Sequence, residues 1–283
     1  MAGSRKIVVG FDSSSESGHA VQWARSVAGP DDRIRVVGAW DIPIAAGYDM
    51  VVVVDPDEIE THTRNALDEL IVGEGDDRLE AVTRRGHAGH ALVTAGEDAD
   101  VIVVGHRGHS RLSLILGSTA NYVIHHTERP VVVVRGDDPV GPRRVIVGVS
   151  DFEDTDDNPS VRALWWASRL QGVEQVTALH GWFLPPLAIG VFHEQAWDVS
   201  GIDGAALHVA ERVVSAAGPA PEGVTVAAKS ARGKAAFALI EASRDADLVV
   251  VGRRGRGGFA ELLLGSTSAA LAAHGHCPIA IVH

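Results

Sequence analysis

The chain has 283 residues, 46% of them apolar and 22% charged, the balance of a globular protein with about two domains at roughly 150 residues each. Its 25 Lys and Arg against 37 Asp and Glu leave a net charge of -12, which argues against duplex nucleic acid, whose binding rests on cations that neutralise phosphates. One cysteine, Cys277, excludes an intrachain disulfide and a Cys-rich metal site. A small phosphorylated ligand stays open, because it responds to local dipoles rather than to net charge.

In chain order, Met1 to Lys6 leads straight into the strand-like run Ile7 to Val9, too short an apolar stretch for a signal peptide. The expected location is therefore the cytoplasm, and no run approaches the roughly 18 apolar residues of a membrane span. A helix-like stretch follows from His19 to Val27, then a strand from Ile34 to Val37 and a helix from Thr61 to Val72. Residues 41 to 60, with Tyr48 and the Val51 to Val54 run, fit no regular pattern and are read as a flap. Further strands fall at Val101 to Val104 and Val131 to Val134. Gly136 to Pro142 is polar and turn-rich, as a linker should be. The strand pattern then returns at Val145 to Val147, Val176 to Leu179, Leu248 to Val251 and Ile279 to Val282.

The return is a repeat. Lys6-Ile7-Val8-Val9-Gly10 matches Arg144-Val145-Ile146-Val147-Gly148, Trp23-Ala24 matches Trp166-Ala167, and Trp40 matches Trp182. Asp98-Ala99-Asp100 matches Asp245-Ala246-Asp247, Gly117-Ser118-Thr119 matches Gly265-Ser266-Thr267, and Pro130 matches Pro278. The offset drifts from 138 at the first glycine to 148 at the proline. Five of the added residues lie in the acidic run Asp151 to Asp157, in a loop where insertion is cheap. The chain thus divides into a domain over residues 1–138 and a second over 139–283. Short Val/Ile runs alternating with helices predict an α/β fold: two tandem Rossmann-like domains, each a five-stranded parallel sheet with helices on both faces. Such sheets take ligands beyond the carboxyl ends of their strands, where strand order reverses.

The fourth strand of the first domain ends in Val104-Gly105-His106-Arg107-Gly108, and Gly117-Ser118-Thr119 opens a helix shortly after. In the second domain Val251, Gly252, Gly255 and Gly265-Ser266-Thr267 repeat the arrangement. Glycines allow close approach of backbone to ligand. A helix opening at Ser-Thr presents free N–H groups and a positive dipole end, which suits phosphate, though such a loop is also simply a tight turn.

The pattern Gly-x2-Gly-x9-Gly-Ser/Thr after a strand ending in Val-Val-Gly resembles the nucleotide-binding signature of universal stress proteins. The resemblance spans nearly the whole chain and includes Asp12 after strand one and Pro130 and Pro278 before strand five. It implies binding of ATP, with Mg2+ as a companion ion, by a nucleotide-dependent stress-response regulator or sensor rather than an enzyme, with slow hydrolysis at most. It implies ligand contacts at Gly10, Asp12, Ala39, Val104, Gly105, Gly108, Gly117, Ser118 and Thr119 in the first domain. In the second it implies Gly148, Ser150, Gly181, Val251, Gly252, Gly255, Gly265, Ser266 and Thr267. In the family the fifth strand pairs antiparallel with its counterpart in another domain, so an internal pseudo-dimer is expected here, with further homodimerisation and an unidentified protein partner left open. Each domain departs once: the first has eight residues, not nine, between Gly108 and Gly117, and the second has Ser150 in place of the aspartate.

Other readings weigh less. Gly255 to Ala260 fits Gly-x-Gly-x-x-Ala but follows the fourth strand rather than the first, which removes a dinucleotide role. Gly233-Lys234-Ala235 lacks the rest of a P-loop and reads as a surface lysine at a helix start. The pairs His87/His90, His106/His109 and His274/His276 have no carboxylate or thiolate partners at ligand spacing, so no metal is expected. Trp23, Trp165 and Trp166 read as core, and Arg107, Arg253, Arg254 and Arg256 as loop arginines or phosphate contacts. No Gly-x-Ser-x-Gly elbow marks a nucleophile. Two alternatives remain: a family member that works by protein contacts without nucleotide, and an ATP-hydrolysing or nucleotidyl-transfer enzyme on the same sheet topology.

Overall fold

The computed structural model describes residues 4–42, 55–108, 116–136, 141–150, 158–183, 199–253 and 264–283. The chain divides into two compact units, Met1–Pro139 and Val140–His283. Of the stretch 41 to 60 read as a flap, residues 43–54 lie outside the described residues, as do the acidic run Asp151 to Asp157 and Gly255 with its neighbours, while Pro56 to Glu60 form the first residues of a helix instead.

The first unit runs β1 (Lys6–Phe11), α1 (Ser15–Val27), β2 (Arg33–Trp40), α2 (Pro56–Glu74), β3 (Leu79–Arg85), α3 (Ala88–Ala95), β4 (Val101–Gly105), α4 (Ser118–His126) and β5 (Val131–Val134). Its strands lie in the order β3-β2-β1-β4-β5, and every pairing is parallel. The central strands are apolar throughout because helices cover both faces: Ile7, Val8, Val9 and Val101 to Val104 are all buried. Right-handed crossovers carry α1 and α2 to one face as the chain moves toward β3, and α3 and α4 to the other as it returns. The order therefore reverses between β1 and β4.

The second unit repeats this with β6 (Arg144–Gly148), α5 (Pro159–Ala167), β7 (Gln175–Trp182), α6 (Val199–Ala216), β8 (Thr225–Arg232), α7 (Ala235–Ala242), β9 (Leu248–Gly252), α8 (Ser266–His274) and β10 (Ile279–Val282). Its order is β8-β7-β6-β9-β10, again all parallel. Strands β3 and β8 complete the five in each unit, at positions where the sequence shows no Val/Ile run.

The repeated landmarks have physical roles. Asp100 accepts the Lys6 N–H at 2.7 Å and Asp247 accepts the Arg144 N–H at 2.7 Å, so each pins the start of its unit's first strand. The backbone carbonyls of Pro130 and Pro278 accept the N–H groups of Ile102 and Val249 at 2.9 and 3.1 Å, which aligns strand five on strand four. Trp23 is fully buried, as a core residue should be. Trp165 is not: it is 51% exposed, and the Arg169 guanidinium lies 4.2 Å over its ring. The inner face of α5 is formed by Ser160, Ala163, Leu164 and Ala167, and Trp166 is half-buried beside it.

Candidate functional site

At the carboxyl ends of β1 and β4, where the strand order reverses, the first unit opens a cavity of about 560 Å³. This lies within the range of small-molecule sites, about 300–1,000 Å³. All nine residues singled out in this unit line it: Gly10, Asp12, Ala39, Val104, Gly105, Gly108, Gly117, Ser118 and Thr119. Sequence reasoning missed Val37 from β2, and Ala88 and Leu92 from α3, which form its apolar side. A signal for α3 was present. Arg85-Gly86-x-Ala88-x-x-Ala91-Leu92 recurs as Arg232-Gly233-x-Ala235-x-x-Ala238-Leu239.

The glycines are placed by close contacts. A Cβ on Gly10 would lie 2.8 Å from Leu92 Cδ1, and one on Gly148 would lie 2.6 Å from Leu239 Cδ1. In both units the strand-end glycine thus makes room for the leucine of the third helix. A Cβ on Gly105 would sit 2.9 Å from the backbone C and O of Glu16, so the first turn of α1 abuts the end of β4.

Asp12 is held before any ligand arrives. Its Oδ1 accepts from the Ser14 N–H at 3.1 Å and from Ser14 Oγ at 2.5 Å, an Asx-type turn closed across Ser13 in the left-handed region at φ 66°. The Asp12 N–H donates to buried Ser17 Oγ at 3.3 Å, and Ser150 N–H donates in the same way to Ser160 Oγ at 3.1 Å. Oδ2 of Asp12 faces Gly108, where a Cβ would come within 2.5 Å of it. Gly108 is therefore the residue that lets the acidic turn and the glycine loop meet.

The loop closes onto α4 through one hydrogen bond: Gly117 N–H donates to the His106 carbonyl at 2.9 Å. Gly117 at the N-cap of α4 supplies no side-chain hydrogen bond, and Ser118, Thr119 and Ala120, whose N–H groups open the helix at its positive dipole end, line the cavity. Arg107 lines the same end, and its Nε is buried without a hydrogen-bond partner. His106 lies behind it. Burial, then the charges of Arg135 and Arg107, hold its imidazole below the usual histidine range. Glu16 is held below the usual carboxylate range, first by its own backbone N–H and then by Ser15.

In the second unit, Gly148, Ser150, Gly181, Val251, Gly252, Gly265, Ser266 and Thr267 occupy the equivalent strand ends and helix start; Gly255 lies outside the described residues. Gly265 N–H donates to the Arg253 carbonyl at 2.9 Å, the counterpart of the Gly117 bond. Gly265 likewise caps α8 without a side-chain bond. A Cβ on Gly181 would lie 2.7 Å from Ala235 Cα, so the end of β7 is pressed against α7. Lys234 stands at the α7 cap with its ammonium 5.7 Å over the Phe183 ring. Among the described residues there is no cluster of three His, Cys, Asp or Glu side chains able to hold a metal ion, and no helix is long and apolar enough to cross a membrane.

A parallel sheet whose strand order reverses, with a helix opening at the switch point, defines a Rossmann-like α/β fold, present twice. The universal stress protein family model matches residues 3–135 and 142–283, and the chain belongs to that family. It is similar to a universal stress protein of Mycolicibacterium smegmatis, 32% identical over 295 residues that cover 98% of this chain and 96% of that one. A universal stress protein of Mycobacterium tuberculosis is 30% identical over 300 residues, 97% of this chain and 95% of that one. Among solved structures, a universal stress protein from Archaeoglobus fulgidus superposes with a TM-score of 0.65 at 22% identity, covering 98% and 97% of the two chains. A functionally unknown protein from Pseudomonas aeruginosa does so with 0.63 at 14%, covering 98% and 92%. At those identities the structural likeness speaks to the fold.

Proposed function

We propose that the protein binds an adenine nucleotide, ATP foremost, and acts as a nucleotide-dependent regulator or sensor in a stress response. The observation that carries this is the two-ended cavity of the first unit. Its apolar end, Val37, Ala39, Ala88 and Leu92, suits a purine. Its other end offers Asp12, the uncapped N–H groups of α4 and the Arg107 guanidinium to ribose and phosphates. The residues also fit Mg2+, which is held mostly by phosphate oxygens and water with one or two carboxylates. Asp12 is the acidic side chain among the described lining residues and would be that carboxylate. The ion would neutralise phosphate charge. Because Asp12 is already engaged by Ser14, it makes a poor general base, and hydrolysis is expected to be slow.

The test is to denature freshly purified protein, identify any released nucleotide by chromatography and take its ratio per chain. One ATP per chain, lost in Gly117→Ala but not in Gly265→Ala, fits binding in the first unit; two per chain extends it to both. No released nucleotide, with no thermal shift in millimolar ATP and Mg2+, overturns the reading and leaves a module that works by protein contacts.

A further inference from the structure

The two units carry the same His and Arg pair in opposite order. After β4 comes His106 and after β5 comes Arg135; after β9 comes Arg253 and after β10 comes His283. The backbone bonds that set these positions match. His106 N–H donates to the Val134 carbonyl at 3.0 Å, and Arg253 N–H donates to the Val282 carbonyl at 2.8 Å. Each residue's own carbonyl then accepts the N–H of the glycine that opens the phosphate-facing helix, at 2.9 Å in both units. The residue whose carbonyl holds the helix start is thus a histidine, with a titratable imidazole, in the first unit and an arginine, with a permanent guanidinium, in the second.

In the second unit the pair is closed: Arg253 Nη1 meets His283 Nδ1 at 3.1 Å. In the first unit the imidazole Nδ1 is buried with no hydrogen-bond partner. The groups that face it are Glu16 from the first turn of α1, Arg135 beyond β5 and Arg107 beside it in the loop, with His19 next along α1. The contact of Gly105 with the Glu16 backbone shows how tightly α1 closes over this corner. Burial first, then the Arg135 and Arg107 guanidiniums, disfavour the charged imidazole, against the Glu16 carboxylate and a backbone hydrogen bond at Val134 that favour it.

We propose that His106 is a proton-linked positioning residue for the bound polyphosphate: its imidazole takes up a proton when a polyphosphate anion occupies the α4 N-terminus. This rests on the nucleotide reading of the same cavity. An anion of three to four charges neutralises the field of Arg107 and Arg135 that opposes protonation, and adds an attraction of its own. The protonated imidazole in turn puts a positive charge on the residue whose carbonyl holds the Gly117 amide, where the second unit has the guanidinium of Arg253 at all pH values. The direction follows. Binding raises the imidazole's proton affinity, so the complex holds more protons than the free protein, and affinity climbs as pH falls toward 6. The second unit lacks this dependence at the matching position.

The measurement is titration calorimetry of the full chain with Mg-ATP at pH 6.0 and 7.5, in buffers of different ionisation heat, which counts protons taken up per nucleotide. The wild type is expected to bind about two- to fivefold more tightly at pH 6.0 than at pH 7.5, the change for about one unit of pKa movement across that window, and to take up a fraction of a proton at pH 7.5 beyond that of the nucleotide itself. His106→Gln should bind with both effects removed, and His106→Arg, which installs the second unit's residue, should bind tightly without pH dependence. A wild type that binds without excess proton uptake overturns the proposal and leaves the nucleotide reading intact. So does uptake that survives in His106→Gln. Absence of binding heat at both pH values overturns the nucleotide reading and this proposal with it. Should His106→Gln melt far below the wild type, the buffer series on the wild type together with His106→Arg still decides the matter.

Discussion

Gly105→Ala puts a methyl group at the point where the strand end of β4 meets the first turn of α1. The new Cβ would lie 2.9 Å from both the carbonyl carbon and the carbonyl oxygen of Glu16. Those are backbone atoms, so no rotamer change relieves the overlap; α1 must move outward or β4 must twist. Overpacking of this kind costs about 1–3 kcal/mol. For a chain of this size that lowers the melting temperature by about 2–10 °C. Gly18→Ala, four residues into α1, is the internal control. Nothing stands within 4 Å of its Cβ, and alanine in place of glycine inside a helix gains roughly 0.5–1 kcal/mol. The two variants carry the same chemical change on contacting elements and should move melting in opposite directions. Circular dichroism melts of both, beside the wild type, settle it. If Gly105→Ala melts at or above the wild type, α1 does not abut β4 as described, and the derivation of the His106 corner loses its footing.

The remaining predictions concern the anchors, the cavity and acid. Asp247→Ala should cost more stability than Asp100→Ala in urea titrations, about 1–3 against about 0.5–1.5 kcal/mol, because Asp247's side chain is 14% exposed while Asp100 is an exposed residue; equal losses would show that burial does not set the strength of this anchor. Arg107→Gln should weaken ATP binding by about tenfold to a hundredfold, the range for a hydrogen bond to a charged group, and unchanged affinity in calorimetry would remove Arg107 from the phosphate end. Burial, with Arg253 and Arg162 beside it, pushes His283 down to about 4. The unfolded chain protonates it near 6.5, so acid favours unfolding, and stability should fall as pH drops from 6.5 to 4. His283→Gln should flatten that slope in denaturation series, and an unaltered slope would place the acid sensitivity elsewhere.

The fold was legible where burial leaves no choice. β1, β4, β5 and their counterparts are covered on both faces, and a strand so placed is written as an unbroken Val/Ile run. β3 and β8 are not legible in the same way, because each is paired on one side only within its unit and interleaves apolar with polar residues: Leu79-Glu80-Ala81-Val82-Thr83-Arg84-Arg85 and Thr225 to Arg232. Helix starts were set late for a related reason. α1 begins at Ser15, capped by Ser14, and α2 at Pro56, capped by Asp55, both ahead of the first apolar period that sequence reading follows. At the site, the glycines and Asp12 were legible because only a close backbone approach or an acidic turn accounts for them. Leu92 and Ala88 were not, since a small or aliphatic residue on a helix reads as core whether it faces a sheet or a ligand. The imidazole of His106 was set aside as one of a histidine pair, because its surroundings come from β5 and α1, far along the chain.

Comparison of the two halves separates scaffold from site. Bonds that recur between them hold backbone: Asp100 and Asp247 on strand one, Gly86 and Gly233 donating to the Trp40 and Trp182 carbonyls at 2.7 and 2.6 Å, Gly117 and Gly265 closing the loop. A duplicated fold has to keep these in both copies. Side chains in and around the cavity are under no such constraint, and the halves part at Asp12 and Ala39, which line it, matched by Ser150 and Gly181, and at His87 and His106, next to lining residues, matched by Lys234 and Arg253. The last pair is the most telling, since the exchange of His and Arg between strands four and five conserves the composition of the corner while changing which residue's carbonyl holds the helix start. Two units with one backbone and different charges at that point cannot respond alike to phosphate and to protons. If the two units bind nucleotide as proposed, that binding should therefore differ between them in its dependence on pH.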